Sequence, residues 1–213
     1  MLARLGVFIL WSIHFLPFRA IVAIGNGLGY LLYLLAAERR RIGDINLKLC
    51  FPGISDEARR KLLRDHFKMF SRGLIERSIL WWSSAARIRS LIRVEGVEHF
   101  AAIKGKPAIL LTPHFVGMDT GGQWVAQHTD TVCMYANQKS RYLTGLLLQK
   151  RIRFGKQRQY SRQQGLRPIL KGMREGMPFI YPPDQDQGVK DGAFIPFFGV
   201  PAATMTSVPR IAQ

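Results

Sequence analysis

The chain has 213 residues, enough for one sizeable domain, or for a domain plus an appendage, with a real core. Lys and Arg outnumber Asp and Glu 31 to 14, a net charge of +17, while only 21% of residues are charged and 47% are hydrophobic. The basic excess therefore sits on an apolar protein and suits a polyanionic partner: nucleic acid, an anionic membrane face, or an acidic or phosphorylated substrate. Two cysteines, Cys50 and Cys133, exclude a disulfide framework and provide no metal-ligand spacing, which favours a reducing, cytosol-facing location.

The N-terminus is the most apolar part. "LGVFILWSIHFLPF" ends at Arg19, and "AIVAIGNGLGYLLYLLAA" then runs from Ala20 to Ala37 without a charge. Eighteen uncharged residues reach the lower limit for a membrane-spanning helix. Gly25, Asn26, Gly27 and Gly29 weaken that signal by lowering helix propensity. "ERRR" at 38–41 follows directly, as expected of an anchor whose downstream part is cytoplasmic. No cleavage site of a secreted precursor is evident. The pattern predicts a membrane-anchoring region over residues 1–41, spanning or interfacial, against the alternative of two buried core helices.

Next, "SDEARRKLLRDHFKMFSRGLIERSILWW" (55–82) has apolar residues at helical spacing, Leu62, Leu63, Phe67, Phe70, Leu74, Ile75 and Ile79, with Ser55 or Asp56 placed to cap. Its other face carries Arg59, Arg60, Lys61, Arg64, Lys68, Arg72 and Arg77. That face reads either as solvated surface or as a surface for anionic headgroups or an acidic partner. His66 and His99 have no acid or cysteine in a telling arrangement and read as ordinary surface or packing residues.

From about residue 105 short apolar runs alternate with helical stretches. "PAILLT" (107–112), "TVCMYA" (131–136) and "MPFIYP" (177–182) read as buried strands, with "SRYLTGLLLQKRIRF" (140–154) and "GLRPILKGMREG" (165–176) as helices between them. This alternation predicts an α/β fold with a mostly parallel sheet flanked by helices, preceded by a helical segment and the apolar N-terminal helical anchor. In such sheets chemistry gathers at the carboxyl ends of the strands. His114 follows the first strand, and Asp119 follows it by five positions.

On an unbroken helix five positions turn a side chain by roughly 500°, leaving His114 and Asp119 about 140° apart. They meet only if the chain turns between them, and Gly117 permits a tight corner. There Asp119 can hold one imidazole nitrogen and leave the other to take a proton, the base-and-orienter arrangement of acyl-transfer sites. Downstream, "YPPDQDQGVKDGAFIPFFGVPAATMTS" (181–207) places Asp184 and Asp186 after the third strand. Two acids one residue apart read as a divalent-ion site or as polar groups fixing a loop, and no nucleotide-binding glycine loop accompanies them. Arg151, Arg153, Arg162 and Arg167 fall near strand ends and read either as phosphate contacts or as solvated positions.

Several segments resemble the late lipid A acyltransferases, the lauroyl and myristoyl transferases of Gram-negative bacteria, within the wider superfamily of glycerolipid acyltransferases with a His and an acid five positions on. The resemblance covers essentially the whole chain. It rests on the apolar N-terminus, "DINLKLCFP" (44–52), "HFVGMD" (114–119), "ANQKS" (136–140), "SRQQGLRPILKGMREG" (161–176) and the long, specific "PDQDQGVKDGAFIPFFGVPAAT" (183–204). It implies transfer of a fatty acyl chain from an acyl carrier protein thioester to a hydroxyl on a lipid A precursor, in lipopolysaccharide biosynthesis. His114 is then the general base and Asp119 its partner, where many family members have Glu. Arg151, Arg162, Arg167, Asp184 and Asp186 are expected to bind substrate, with Arg162 favoured among the cations. No metal and no cofactor are implied, since the thioester supplies the driving force. The implied partners are acyl carrier protein, the lipid A precursor and anionic inner-membrane lipids, at the cytoplasmic face of the inner membrane. Residues 42–213 are expected to form the acyltransferase domain, and family members that continue past "TMTSVPRIAQ" imply that its C-terminal part is missing. Alternatives are acyl transfer to a glycerophosphate lipid and a non-catalytic basic membrane-binding protein. Nucleic acid is disfavoured, because the basic residues are not interleaved with aromatics in a recognisable reading module.

Overall fold

The computed structural model describes residues 2–137, 139–185 and 192–212. Contacts divide the chain into two compact units, one built mainly from 79–183 and the other mainly from 6–78 and 184–211.

The first unit holds the sheet. Strands β1 (Ile109–Leu111), β2 (Val132–Tyr135), β3 (Arg158–Ser161) and β4 (Phe179–Tyr181) lie in the order β1-β4-β2-β3, every pair parallel. The last strand in sequence is thus inserted beside the first, and Val132 and Phe179, on the two central strands, are fully buried. Helices α7 (Met118–Ala126), α8 (Arg141–Arg151) and α9 (Arg167–Arg174) form the crossovers, and Ile169 of α9 is also fully buried. Parallel strands need such crossovers, and covering both faces makes the central strands apolar throughout. The expected α/β architecture is therefore present. The strand β3, "RQYS", carries no apolar run; it lies at the sheet edge with Arg158 exposed and is held by its register with β2. Helices α5 (Ala85–Leu91) and α6 (Val97–Ile103) precede β1.

The second unit contains α2 (Phe18–Leu35), α3 (Ala37–Cys50) and most of α4 (Asp56–Trp82), with the antiparallel pair β5 (Gly192–Phe197) and β6 (Val200–Met205) and helix α10 (Ser207–Ala212). Helix α1 (Leu2–Ile13) carries no buried residue, and α2 is long and apolar enough to cross a membrane. The glycines of α2 have a role that propensity alone does not reveal. A Cβ on Gly25 would come within 2.6 Å of Arg72 Cα, and one on Gly29 within 2.6 Å of Phe67 O and closer still to Lys68 Cα. Both therefore let the α2 backbone pack directly on α4, and both are buried, while Leu31, Leu34 and Leu35 on the same helix stay exposed.

Arg59 departs from the expected basic surface. It is buried, donating from Nε to Asp44 of α3 at 2.7 Å and pairing through Nη2 with Asp56 at 2.8 Å. It ties α3 to α4 and is not available to a partner, because a buried guanidinium needs its carboxylates. Hydrogen bonds from Arg59 and then Lys48 hold the Asp44 carboxyl below its ordinary value of 3.8. A depressed carboxyl contributes stability that is present above the unfolded value and lost as pH falls through the folded one. Chemical denaturation across the acid range should show wild-type stability falling below about pH 4 more steeply than that of Asp44→Asn. Superimposable acid limbs for the two proteins would remove Asp44 from the account.

Candidate active site

The parallel sheet delivers its four carboxyl ends to one edge, and β1 supplies His114 there. Thr112 N–H donates to Tyr181 O at 3.1 Å, continuing the β1–β4 pairing to the point where the chain leaves the sheet. Pro113 follows, Phe115 N–H donates to Pro113 O at 2.6 Å, and Met118 N–H donates to Phe115 O at 3.0 Å. These bonds turn the chain over residues 113–118, between the end of β1 and the start of α7. Gly117 is the N-cap of α7 at φ −83°, ψ 7°, backbone that any residue adopts. The corner does not depend on glycine's conformational freedom; a Cβ on Gly117, Gly121 or Gly122 would meet nothing within 4 Å, so this part of α7 borders open space.

His114 is exposed at the strand end, and Asp119 lies half-buried in the first turn of α7, where the helix dipole favours a carboxylate. Arg151, the last residue of α8, brings Nη2 to within 3.5 Å of Asp119 Oδ1. The helices that carry this pair are also joined by Gln123, whose amide donates to Lys150 O at 3.0 Å. Neither the Arg151–Asp119 pair nor the Gln123 bridge is visible in sequence spacing, since the partners are 27 to 32 positions apart. Two residues before His114, the Thr112 hydroxyl is buried without a hydrogen-bond partner among the described residues.

Arg162 opens a single 3₁₀ turn (Arg162–Gln164) after β3, fixed by a capping box in which Ser161 N–H donates to Gln164 Oε1 at 2.7 Å. Gly165 closes that turn at φ 71°, a value that favours glycine, and Arg167 begins α9; both arginines are exposed. Strands β1 and β3 are the two sheet edges, three strand spacings or about 14 Å apart, and both His114 and Arg162 follow the carboxyl ends of these strands. Arg153 has a different task. Its guanidinium donates to Leu80 O at 2.9 Å and Ser83 O at 2.8 Å, capping the end of α4. Asp184 is exposed, three residues past β4 in the second compact unit, and Asp186 lies outside the described residues. Cys133 on β2 is a poor nucleophile at neutral pH, because burial pushes its thiol up to about 11.

A model of the bacterial lipid A biosynthesis acyltransferases matches residues 1–213. The chain belongs to that family. It is 31% identical over 205 residues to a lipid A biosynthesis acyltransferase of Haemophilus influenzae, covering 95% of this chain and 65% of the relative. It is 30% identical over 215 residues to the lipid A biosynthesis lauroyltransferase of Escherichia coli, covering 100% and 70%, and 26% identical over 204 residues to the palmitoleoyltransferase of the same organism, covering 95% and 66%. The chain thus spans about two thirds of the length of these relatives. As a family member with this geometry, it is expected to separate its arginines experimentally. Arg153→Ala should lower unfolding stability by about 2 kcal/mol, through two charge-assisted bonds to helix-end carbonyls. Arg162→Ala should leave stability within about 0.5 kcal/mol, as an exposed position does. Equal losses in denaturant titration would refute the distinction.

Proposed function

We propose that the protein transfers a fatty acyl chain from an acyl carrier protein thioester to the hydroxyl of a hydroxyacyl chain on a lipid A precursor. The observation that supports this most is the placement of His114 at a carboxyl strand end, one turn ahead of Asp119, in a chain of the lipid A acyltransferase family. Neutral His114 takes the proton from the acceptor hydroxyl as that oxygen attacks the thioester carbonyl. The tetrahedral intermediate collapses by breaking the C–S bond, and the imidazolium returns the proton to the departing thiolate. Asp119 orients the ring, and Arg151 positions Asp119 from the end of α8.

Phe115 N–H is committed to Pro113 O, which leaves Val116 and Gly117 N–H as the donors of that turn for the oxyanion. Arg162 and Arg167 engage phosphate groups of the lipid or of the carrier's phosphopantetheine arm. Their place after β3, the edge strand opposite β1 and about 14 Å from it by strand spacing, suits an extended substrate whose charged group lies away from the reacting carbonyl. Asp184 and Asp186 contribute to binding the substrate. Residues 1–41 anchor the chain at the cytoplasmic face of the inner membrane, where α1 and the outer side of α2 expose their apolar residues. Residues 42–213 belong to the acyltransferase domain.

In the protein carrying this chain, His114→Ala should lower transfer from acyl carrier protein by at least 10³-fold while leaving the fold intact. Asp119→Glu should retain more activity than Asp119→Asn, because the longer acid keeps the charge that orients the imidazole. A loss of less than tenfold for His114→Ala would contradict the assignment of the base.

A further inference from the structure

The second compact unit holds a cleft of about 540 Å³ lined by Tyr33, Ser55, Glu57, Ala58, Arg60, Lys61 and Arg64. Three cations project from two successive turns of α4 into one concavity. Arg60 and Arg64 are spaced i,i+4, so they are neighbours on the helix surface and repel each other, a cost of a few tenths of a kcal/mol in the free protein. Neither forms a direct ion pair among the described residues, although Asp65 feels the Arg64 charge, whereas the nearby Arg59 pairs with two carboxylates and Lys61 pairs with Asp65 at 2.9 Å. Glu57, exposed in the same lining, leaves the cleft with a net positive charge.

The remaining walls are polar or aromatic. Ser55 directs its hydroxyl to Ala58 N–H at 3.2 Å, ordering the first turn of α4. Tyr33 is held edge-on by Phe67 and lies beneath the guanidinium of Arg40, which also donates to the backbone carbonyls of Tyr33 and Leu34 at the end of α2. Tyr33 belongs to the last turn of the apolar helix, beside the exposed Leu34 and Leu35. The cleft therefore lies where an apolar helix surface gives way to arginines, the level at which phosphate groups lie in a bilayer.

We propose that this cleft is a phosphate-binding site, with Arg60 and Arg64 gripping the phosphate oxygens, Lys61 adding charge and Tyr33 closing one wall. The shared chemistry is a terminal phosphate group; its source is a membrane lipid headgroup or a soluble phosphate. The site is built from α2 and α4 and does not rest on the acyl-transfer reading. A bound phosphate converts the repulsion between Arg60 and Arg64 into two charge-assisted contacts, so occupancy stabilises the fold.

The test is a thermal-stability titration of the protein in neutral detergent with dioctanoyl phosphatidic acid, dioctanoyl phosphatidylcholine and inorganic phosphate. Phosphatidic acid should give a saturable rise in Tm and phosphatidylcholine none. The midpoint should weaken at least fivefold in Arg60→Gln/Arg64→Gln, remain closer to wild type in Arg60→Lys/Arg64→Lys, and be unchanged in Arg39→Gln/Arg41→Gln. A comparable response to inorganic phosphate supports the site with a soluble source, and a response to the lipid alone supports it with a headgroup source. No saturation with either phosphate, or equal weakening in the Arg39/Arg41 and Arg60/Arg64 glutamine variants, would overturn the proposal.

Discussion

The pairing of β1 with β4 is the constraint on which the candidate site depends. Because the last strand of the sheet inserts beside the first, the β1 ladder continues through Thr112 N–H to Tyr181 O, and the chain leaves the sheet at a fixed point just before His114. A slip of one residue in this register would reverse the face of every β1 side chain and move the turn that carries His114. The hydrogen bonds of residues 113–118 then set the start of α7, and with it the place of Asp119. Helix α8 ends on Arg151, which pairs with Asp119. A helix start and a helix end thus meet at one carboxylate, in the turn of chain that follows the β1 strand end and His114. That arrangement underlies the proposed base and orienter.

The +17 charge resolves into arginines with different work. Arg59 joins α3 to α4 through two carboxylates, Arg153 caps α4, Arg40 caps α2, and Arg158 pairs with Glu175 at 2.5 Å. These arginines serve contacts within the fold, from the buried Arg59 to the surface pair of Arg158. Arg60, Arg64, Arg162 and Arg167 are among the arginines that remain exposed. A face counted from sequence as uniformly basic is therefore divided by burial. The helical wheel cannot make this division, because it does not show that Asp44 of another helix reaches back to Arg59.

Sequence pattern was a good guide wherever one physical effect dominated. "AILL", "VCMY" and "FIY" contain the strands β1, β2 and β4 of a parallel sheet, the last two buried or half-buried throughout, so their apolar runs read as strands and are strands. The strand "RQYS" was not legible, since an edge strand with polar residues has no such run and is defined only by its partner. The glycines of α2 were legible as weak helix formers, but their function in close packing against α4 depends on a partner helix some forty residues away. His114 and Asp119 stood out because their spacing demands a turn. Gly117 has ordinary backbone angles, and the turn is made by backbone hydrogen bonds instead of by glycine's conformational freedom. The Arg151–Asp119 pair was hidden for the same reason as Arg59–Asp44: it is a tertiary contact between elements with no local signature.

The central claim is that His114 at the sheet edge activates a hydroxyl on a lipid A precursor. Its most direct test offers the protein a radiolabelled acyl carrier protein thioester together with two competing acceptors, a tetra-acylated lipid A precursor and a lysophosphatidic acid, and identifies the product by mass spectrometry. The account predicts one added acyl chain on a hydroxyacyl group of the lipid A precursor and no labelled glycerophosphate lipid. Label on the glycerophosphate acceptor, or label on neither, would contradict it.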